Sequence, residues 1–143
     1  MSKITQFALL TLALVFTASQ GFAHEGHDHD APKSVKSNKG GVVKSLEETN
    51  VEVVSKGNKI EIYLFNKNES ESKPLDVTPF TVSAKAEMPR TKKTENIVLK
   101  PMGNYFEATF DAKGTHRYTL LLSVKDPKTG HDDKLKFTIE PRK

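Results

Sequence analysis

From residue 41 onward, short runs of alternating apolar and polar residues are separated by turn residues. In residues 59–65 and 116–124, the second of which is predicted to be the longest strand, apolar side chains recur at nearly every second position, which is the period of a half-buried β-strand. The residues between the runs are rich in Gly, Pro, Asn and Asp, as turns require. The pattern predicts an all-β fold for residues 41–143, an Ig-like or Greek-key β-sandwich of about 7–8 antiparallel strands.

The apolar positions of these runs predict the core of the sandwich. Thirteen side chains are expected to point inward: Ile60, Ile62, Leu64, Val82, Ala84, Phe106, Ala108, Phe110, Leu120, Leu122, Val124, Phe137 and Ile139. His116 is in phase with this face and is expected to be a structural histidine, and Met88 and Met102 are expected to fill the core. Because the chain has no cysteine, no disulfide bond can assist this core.

Residues 1–23 differ from the rest of the chain and are predicted to be a signal peptide. They carry one charged side chain, Lys3, then an apolar run over residues 7–16 and a region of small and polar residues. Such a run is shorter than the roughly 20 residues that a membrane span needs, although an uncleaved anchor is the alternative. We expect a periplasmic or secreted protein with no stable membrane anchor after cleavage.

A cluster of histidines and carboxylates follows directly, in residues 24–30. Three of the five histidines of the chain, His24, His27 and His29, alternate there with acidic residues. Neutral imidazole is a good ligand for copper, zinc, nickel and cobalt, and carboxylates can complete or orient the ligand shell. The predicted primary ligands are these three histidines, assisted by Glu25, Asp28 and Asp30.

The position of the signal cleavage site changes the chemistry of this cluster. Cleavage after Ala23 would make His24 the N-terminus, so that its free amine and its ring could chelate one ion. Cleavage after Ser19 or Gly21 would remove that feature but leave the other ligands. Without thiolates the cluster should prefer Cu(II), then Ni(II) or Zn(II), with Co(II) also possible. The alternative interpretation is a solvated polar tail that has no selected ligand.

Two further features concern the surroundings of the cluster. Residues 31–40 have no apolar period and are predicted to be a linker, so that residues 24–40 form a disordered, His- and Asp-rich tail. His131 lies between Asp126 and Asp132 in a second polar segment, where it is a candidate for a supplementary metal ligand or a member of a simple hairpin turn.

Composition and motifs argue against several other functions. The 22 basic residues outnumber the 18 acidic ones only slightly and are scattered, which does not favour nucleic-acid binding. The chain contains no nucleophile elbow, no His-Glu-x-x-His motif and no phosphate-binding loop. We therefore expect a binding protein and not an enzyme. A copper oxygenase remains an alternative only if His116 or His131 pairs with His24.

The chain resembles small exported β-sandwich proteins of bacterial heavy-metal resistance, the CopC-like and YtkA-like groups, and similar domains of periplasmic adaptors of metal-efflux pumps. The resemblance is carried by the Ala23-His24 junction and by residues 40–43 and 103–108. In CopC-like proteins the terminal histidine is a copper ligand, which the resemblance transfers to His24 alone. The methionine-rich segment of some relatives is absent from this sequence.

These observations together predict a protein that captures, buffers or delivers a divalent transition metal, copper above all. The resemblance implies a metal-efflux pump or its periplasmic adaptor as the partner that receives the ion. The competing hypothesis is a non-catalytic Ig-like module that binds another protein of the cell envelope, with histidines that have no role in binding.

Overall fold

The computed structural model describes residues 35–68 and 73–141, and this part of the chain is all β. Its strands are β1 (Val42–Ser45), β2 (Thr49–Lys56), β3 (Lys59–Asn66), β4 (Thr81–Glu87), β5 (Thr94–Ile97), β6 (Lys100–Pro101), β7 (Phe106–Thr109), β8 (Tyr118–Lys125) and β9 (Asp132–Ile139). The described residues contain no helix long and apolar enough to cross a membrane.

Two antiparallel sheets form the predicted sandwich. Sheet A has the order β1-β2-β3-β7-β6, and sheet B has the order β5-β4-β8-β9. From β2 onward this strand order is that of an immunoglobulin-type sandwich that carries an additional edge strand on its second sheet, and β1 extends sheet A by one strand. The predicted fold class is therefore confirmed.

The alternation of apolar and polar residues along the strands corresponds to an alternation of buried and more exposed side chains. In β8, Tyr118, Leu120, Leu122 and Val124 are buried, whereas the residues between them are partly exposed. The hairpin between β2 and β3 turns at residues 57–58, where Gly57 has a φ of 59° that glycine adopts without strain.

All of the predicted inward residues are buried except Val82, which is half-buried and packs against the same cluster. The rings of Phe110 and Tyr118 meet at 5.0 Å between centroids, and burial raises the pKa of the Tyr118 phenol to about 12. Each large apolar side chain so buried contributes about 1.5 to 3 kcal/mol of stability. The chain has no disulfide bond to add to this core.

The strand boundaries differ from prediction at several places. The strand predicted to begin at residue 116 begins at Tyr118. The two-residue strand β6 was not predicted, because a pair of residues is too short to show alternation. Strand β9 begins at Asp132, although the polar residues 126–133 were all predicted to form a loop. There Asp132 lies opposite Lys125 and Asp133 opposite Val124, so that the hairpin extends past the apolar residues.

Candidate functional site

Most of the predicted metal ligands lie outside the described residues, and their role stays a prediction. These residues are His24, Glu25, His27, Asp28, His29 and Asp30. The signal peptide over residues 1–23 and the greater part of the tail over residues 24–40 lie outside as well. The structure does describe residues 35–40, at the end of the predicted linker.

Residues 37–41 surround the carboxyl group of Glu52 on the outer side of sheet A. Oε1 of Glu52 accepts hydrogen bonds from the Ser37 hydroxyl (2.6 Å) and from the backbone N–H groups of Lys39 (2.8 Å) and Gly41 (2.8 Å). Oε2 accepts one from the backbone N–H of Asn38 (2.9 Å). A single carboxylate thus binds the segment that was predicted to be a free linker.

The surroundings of Glu52 favour the charged carboxylate. The residue is 0% exposed, and among the described residues no lysine, arginine or histidine forms an ion pair with it. Burial alone raises its pKa, but the hydrogen bonds from Ser37, Gly41, Asn38 and Lys39 oppose this effect, and the net pKa lies below the ordinary value of 4.5.

Close packing reinforces these hydrogen bonds. A Cβ atom on Gly41 would overlap the carbonyl oxygen of Val53 and lie 2.9 Å from Cγ2 of Val54, so only glycine fits without a shift. The ammonium group of Lys39 lies 5.5 Å from the centroid of the Tyr63 ring, which stacks in turn on Tyr105 at 5.3 Å. Residues 37–41 are therefore part of the sandwich and cover the outer face of β2.

His131 is the predicted metal ligand that the structure describes. It ends the turn between β8 and β9, where its carbonyl oxygen accepts a hydrogen bond from the N–H of Asp126 (3.2 Å). Its Nδ1 lies 3.6 Å from Oε2 of Glu47 in the turn between β1 and β2, and both side chains are about two-thirds exposed or more (67% and 72%).

The carboxylates beside His131 make other contacts. The carboxylate of Asp126 accepts a hydrogen bond from the N–H of Lys128 (2.7 Å), and that of Asp132 accepts one from the Ser123 hydroxyl. Within residues 35–68 and 73–141, no three His, Asp or Glu side chains come together as a metal site would require. The role of His131 as a supplementary metal ligand stays a prediction. The neighbouring carboxylate that could bind the same ion is that of Glu47.

The prediction for His116 was wrong. The residue is exposed and precedes β8, which begins at Tyr118. The inward phase of the strand does not extend to His116, because the residue lies in a bend two positions before the strand begins. The bend directly follows a turn that is closed by a hydrogen bond from the N–H of Thr115 to the carbonyl of Ala112. Of the two methionines, Met88 packs against the core as expected, whereas Met102 is 49% exposed.

Sequence reasoning missed Glu52. It alternates with Val51 and Val53 in β2, so its position indicated only an outward polar side chain. The one signal in the sequence is the small and polar run over residues 37–41, whose backbone N–H groups are free to donate. Which acceptor they would meet depends on the tertiary fold.

No protein-family model and no curated protein matches the chain. Two solved structures do, and both are FetP of uropathogenic Escherichia coli strain F11. A copper-bound variant of FetP aligns with a TM-score of 0.52 at 9% identity, over 70% of this chain and 93% of that one. The as-isolated protein, expressed in the E. coli periplasm, aligns with a TM-score of 0.51 at 9% identity, over 70% and 92%. At this identity the likeness supports the sandwich fold alone, and the resemblance to CopC-like proteins stays an expectation.

The contacts of Glu52 lead to a prediction for Glu52→Gln. The neutral amide removes the charged acceptor of four hydrogen bonds, so we expect the free energy of unfolding to fall by about 2 to 3 kcal/mol at neutral pH. Since the folded-state pKa is lowered, this stabilisation is present above a pH of about 4.5 and is lost as the pH falls through the folded-state pKa. Urea unfolding of both proteins across this pH range measures the difference.

Glu47→Gln is the matched control, because Glu47 is exposed, and its effect should stay below about 0.5 kcal/mol. Trypsin digestion followed by mass spectrometry adds a local measurement. Cleavage after Lys36 and Lys39 should be faster in Glu52→Gln than in Glu47→Gln. Equal stability and equal cleavage of the two variants would show that the carboxylate does not hold residues 37–41.

Gly41 and Gly40 allow steric and conformational effects to be compared. Gly41→Ala places a Cβ against the backbone of β2, and we expect a loss of about 2 kcal/mol or more. Gly40→Ala meets no atom within 4 Å but retains a φ of 84°, so its loss should be about 1 kcal/mol. Urea unfolding that ranks the two variants in the opposite order would contradict this packing.

Proposed function

We propose that this protein is an exported, non-enzymatic metal-binding protein that captures, buffers or delivers a divalent transition metal, with copper as the preferred ion. The observation that carries the proposal is the cluster of His24, His27 and His29 within six residues, interleaved with Glu25, Asp28 and Asp30. Imidazole and carboxylate without thiolate form a borderline donor set, for which Cu(II) has the highest affinity among these ions, followed by Ni(II) and Zn(II).

The solved structures that share the fold give independent support to the same proposal. One of the structures that share the sandwich is a copper-bound variant of FetP, and the other comes from FetP expressed in the periplasm. A sandwich of this kind is thus compatible with copper binding and with the periplasm, where the predicted signal peptide would deliver this chain. We further propose that a metal-efflux pump or its periplasmic adaptor receives the ion.

Metal titration of the processed protein tests this proposal. Cu(II), Ni(II) and Zn(II) should each bind to the metal-free protein at neutral pH, and Cu(II) should bind most tightly. Replacement of His24, His27 and His29 by Ala should weaken Cu(II) binding by about 100-fold or more, which corresponds to about 2.7 kcal/mol. Competition with a chelator of known affinity, followed by isothermal titration calorimetry, measures both.

The affinity should also fall as the pH decreases through about 6.5, because protonated imidazole cannot bind a metal. His116→Ala is the control, since this exposed imidazole lies outside the cluster and its loss should change the Cu(II) affinity less than about threefold. His131→Ala reports on the supplementary ligand. If no first-row divalent ion binds, or if the triple variant binds Cu(II) as the wild type does, the proposed function is wrong.

A further inference from the structure

A cleft lies at one end of the sandwich, between the loop that follows β4 and the loop that precedes β8. The two loops are adjacent because Glu87, the last residue of β4, pairs with Thr119 near the start of β8. The cleft is lined by residues 88–91, by Glu95 and by residues 112–117. None of these residues belongs to the predicted metal site.

The lining of the cleft is strongly basic. It contains the guanidinium groups of Arg90 and Arg117 and the ammonium group of Lys113, against a single carboxylate, Glu95. That carboxylate lies 3.5 Å from Lys113. Among the residues that the structure describes, neither Arg90 nor Arg117 forms a hydrogen bond or an ion pair. The cleft therefore presents two guanidinium groups whose charges are not balanced by a carboxylate of the described chain.

Backbone hydrogen bonds fix both walls of the cleft. In the first wall, the N–H of Met88 donates to the carbonyl of Lys93, and the N–H of Lys92 donates to the carbonyl of Met88, both at 3.0 Å. In the second wall, the Ala112–Thr115 turn closes at 2.9 Å, and the Asp111 carboxylate accepts from the N–H of Lys113 at 2.8 Å. A ligand would thus meet a surface that is already formed, which lowers the entropic cost of binding.

Each wall also contains a lysine in an unfavourable backbone conformation. Lys92 (φ 55°) and Lys113 (φ 49°) are the non-glycine residues with positive φ in the described chain. Glycine or asparagine would adopt this conformation more easily. Each lysine instead places its ammonium group near a carboxylate, 3.6 Å from Glu87 and 3.5 Å from Glu95. Conformational strain of this kind clusters at active and binding sites, where the surrounding structure enforces it.

We propose that this cleft binds an anionic ligand that carries at least two oxyanion groups, either carboxylates or phosphates. The planar guanidinium groups of Arg90 and Arg117 suit bidentate contacts with such groups, and the hydroxyls of Thr91 and Thr115 can donate further hydrogen bonds. The exposed His116 adds positive charge when it is protonated. The site is separate from the histidine cluster and does not depend on the proposed metal binding.

Titration of the metal-free protein with citrate and with pyrophosphate tests the site and distinguishes the two oxyanion classes. The diagnostic variant combines Arg90→Gln with Arg117→Gln, both at exposed positions outside the core. The control combines Lys128→Gln with Lys134→Gln, which removes the same charge from exposed positions around the β8–β9 turn. Calorimetry gives the affinity, and backbone amide NMR shifts locate the binding site.

At least one of the two probes should bind with a 1:1 stoichiometry and shift the amide signals of residues 90–93 and 113–117. The arginine variant should weaken binding about tenfold or more, whereas the lysine control should change it less than about twofold. Binding of citrate alone identifies a carboxylate ligand, and binding of pyrophosphate alone identifies a phosphate ligand. The proposal is overturned if neither probe binds at millimolar concentration, or if the two variants weaken binding equally.

Discussion

A buried carboxylate without a cationic partner is stable only if donors surround it, and Glu52 meets this condition through residues 37–41. Removal of its hydrogen bonds would leave a charge on the outer face of β2 and uncover Val54, which is 6% exposed. The same bonds determine where β1 can begin, because Gly41 is held against Val53 immediately before the first strand pairs with β2. The start of sheet A thus lies against one carboxylate whose hydrogen bonds favour the ionised form.

This interaction is separate from the core between the two sheets. Val51 and Val53 face the core with Ile62 and Leu64 opposite them in β3, whereas Glu52 faces the segment 37–41. As a result, both faces of β2 are buried although one of its neighbours, β1, is only four residues long. The stability of the core comes from buried apolar area, which does not change as carboxylates are protonated. The contact of Glu52 with residues 37–41, in contrast, depends on the charge of its carboxylate. Acid that protonates Glu52 should therefore weaken the contact with this segment without acting directly on the core.

Alternation predicted most of the strands and nearly all of the core, because a strand with one buried face must show a period of two. It could not predict what covers the other face. Glu52 had the polar character of an outward residue, and nothing in its neighbours indicates that backbone N–H groups from eleven to fourteen residues away would bind it. The prediction for His116 failed for a different reason: the alternation of the strand was extended two residues beyond its start, into the bend that follows the turn with Lys113 and Gly114 at positive φ. The ligands in residues 24–30 were inferred from composition alone, which specifies donor chemistry but not geometry.

An immunoglobulin-type sandwich gathers its loops at two ends, and the strand pairing places the His131 turn and the basic cleft at opposite ends. The turn that contains His131 joins Lys125 to Asp132, whereas the basic cleft lies beside Thr119, near the other end of β8. About seven residues of extended strand, roughly 20 Å, separate them, which exceeds the Debye length of about 8 Å at physiological salt. Charge changes at one end should therefore act independently of those at the other, and substitutions in the two regions should have additive effects on stability. A ligand bound at one end would therefore leave the electrostatic environment of the other end nearly unchanged.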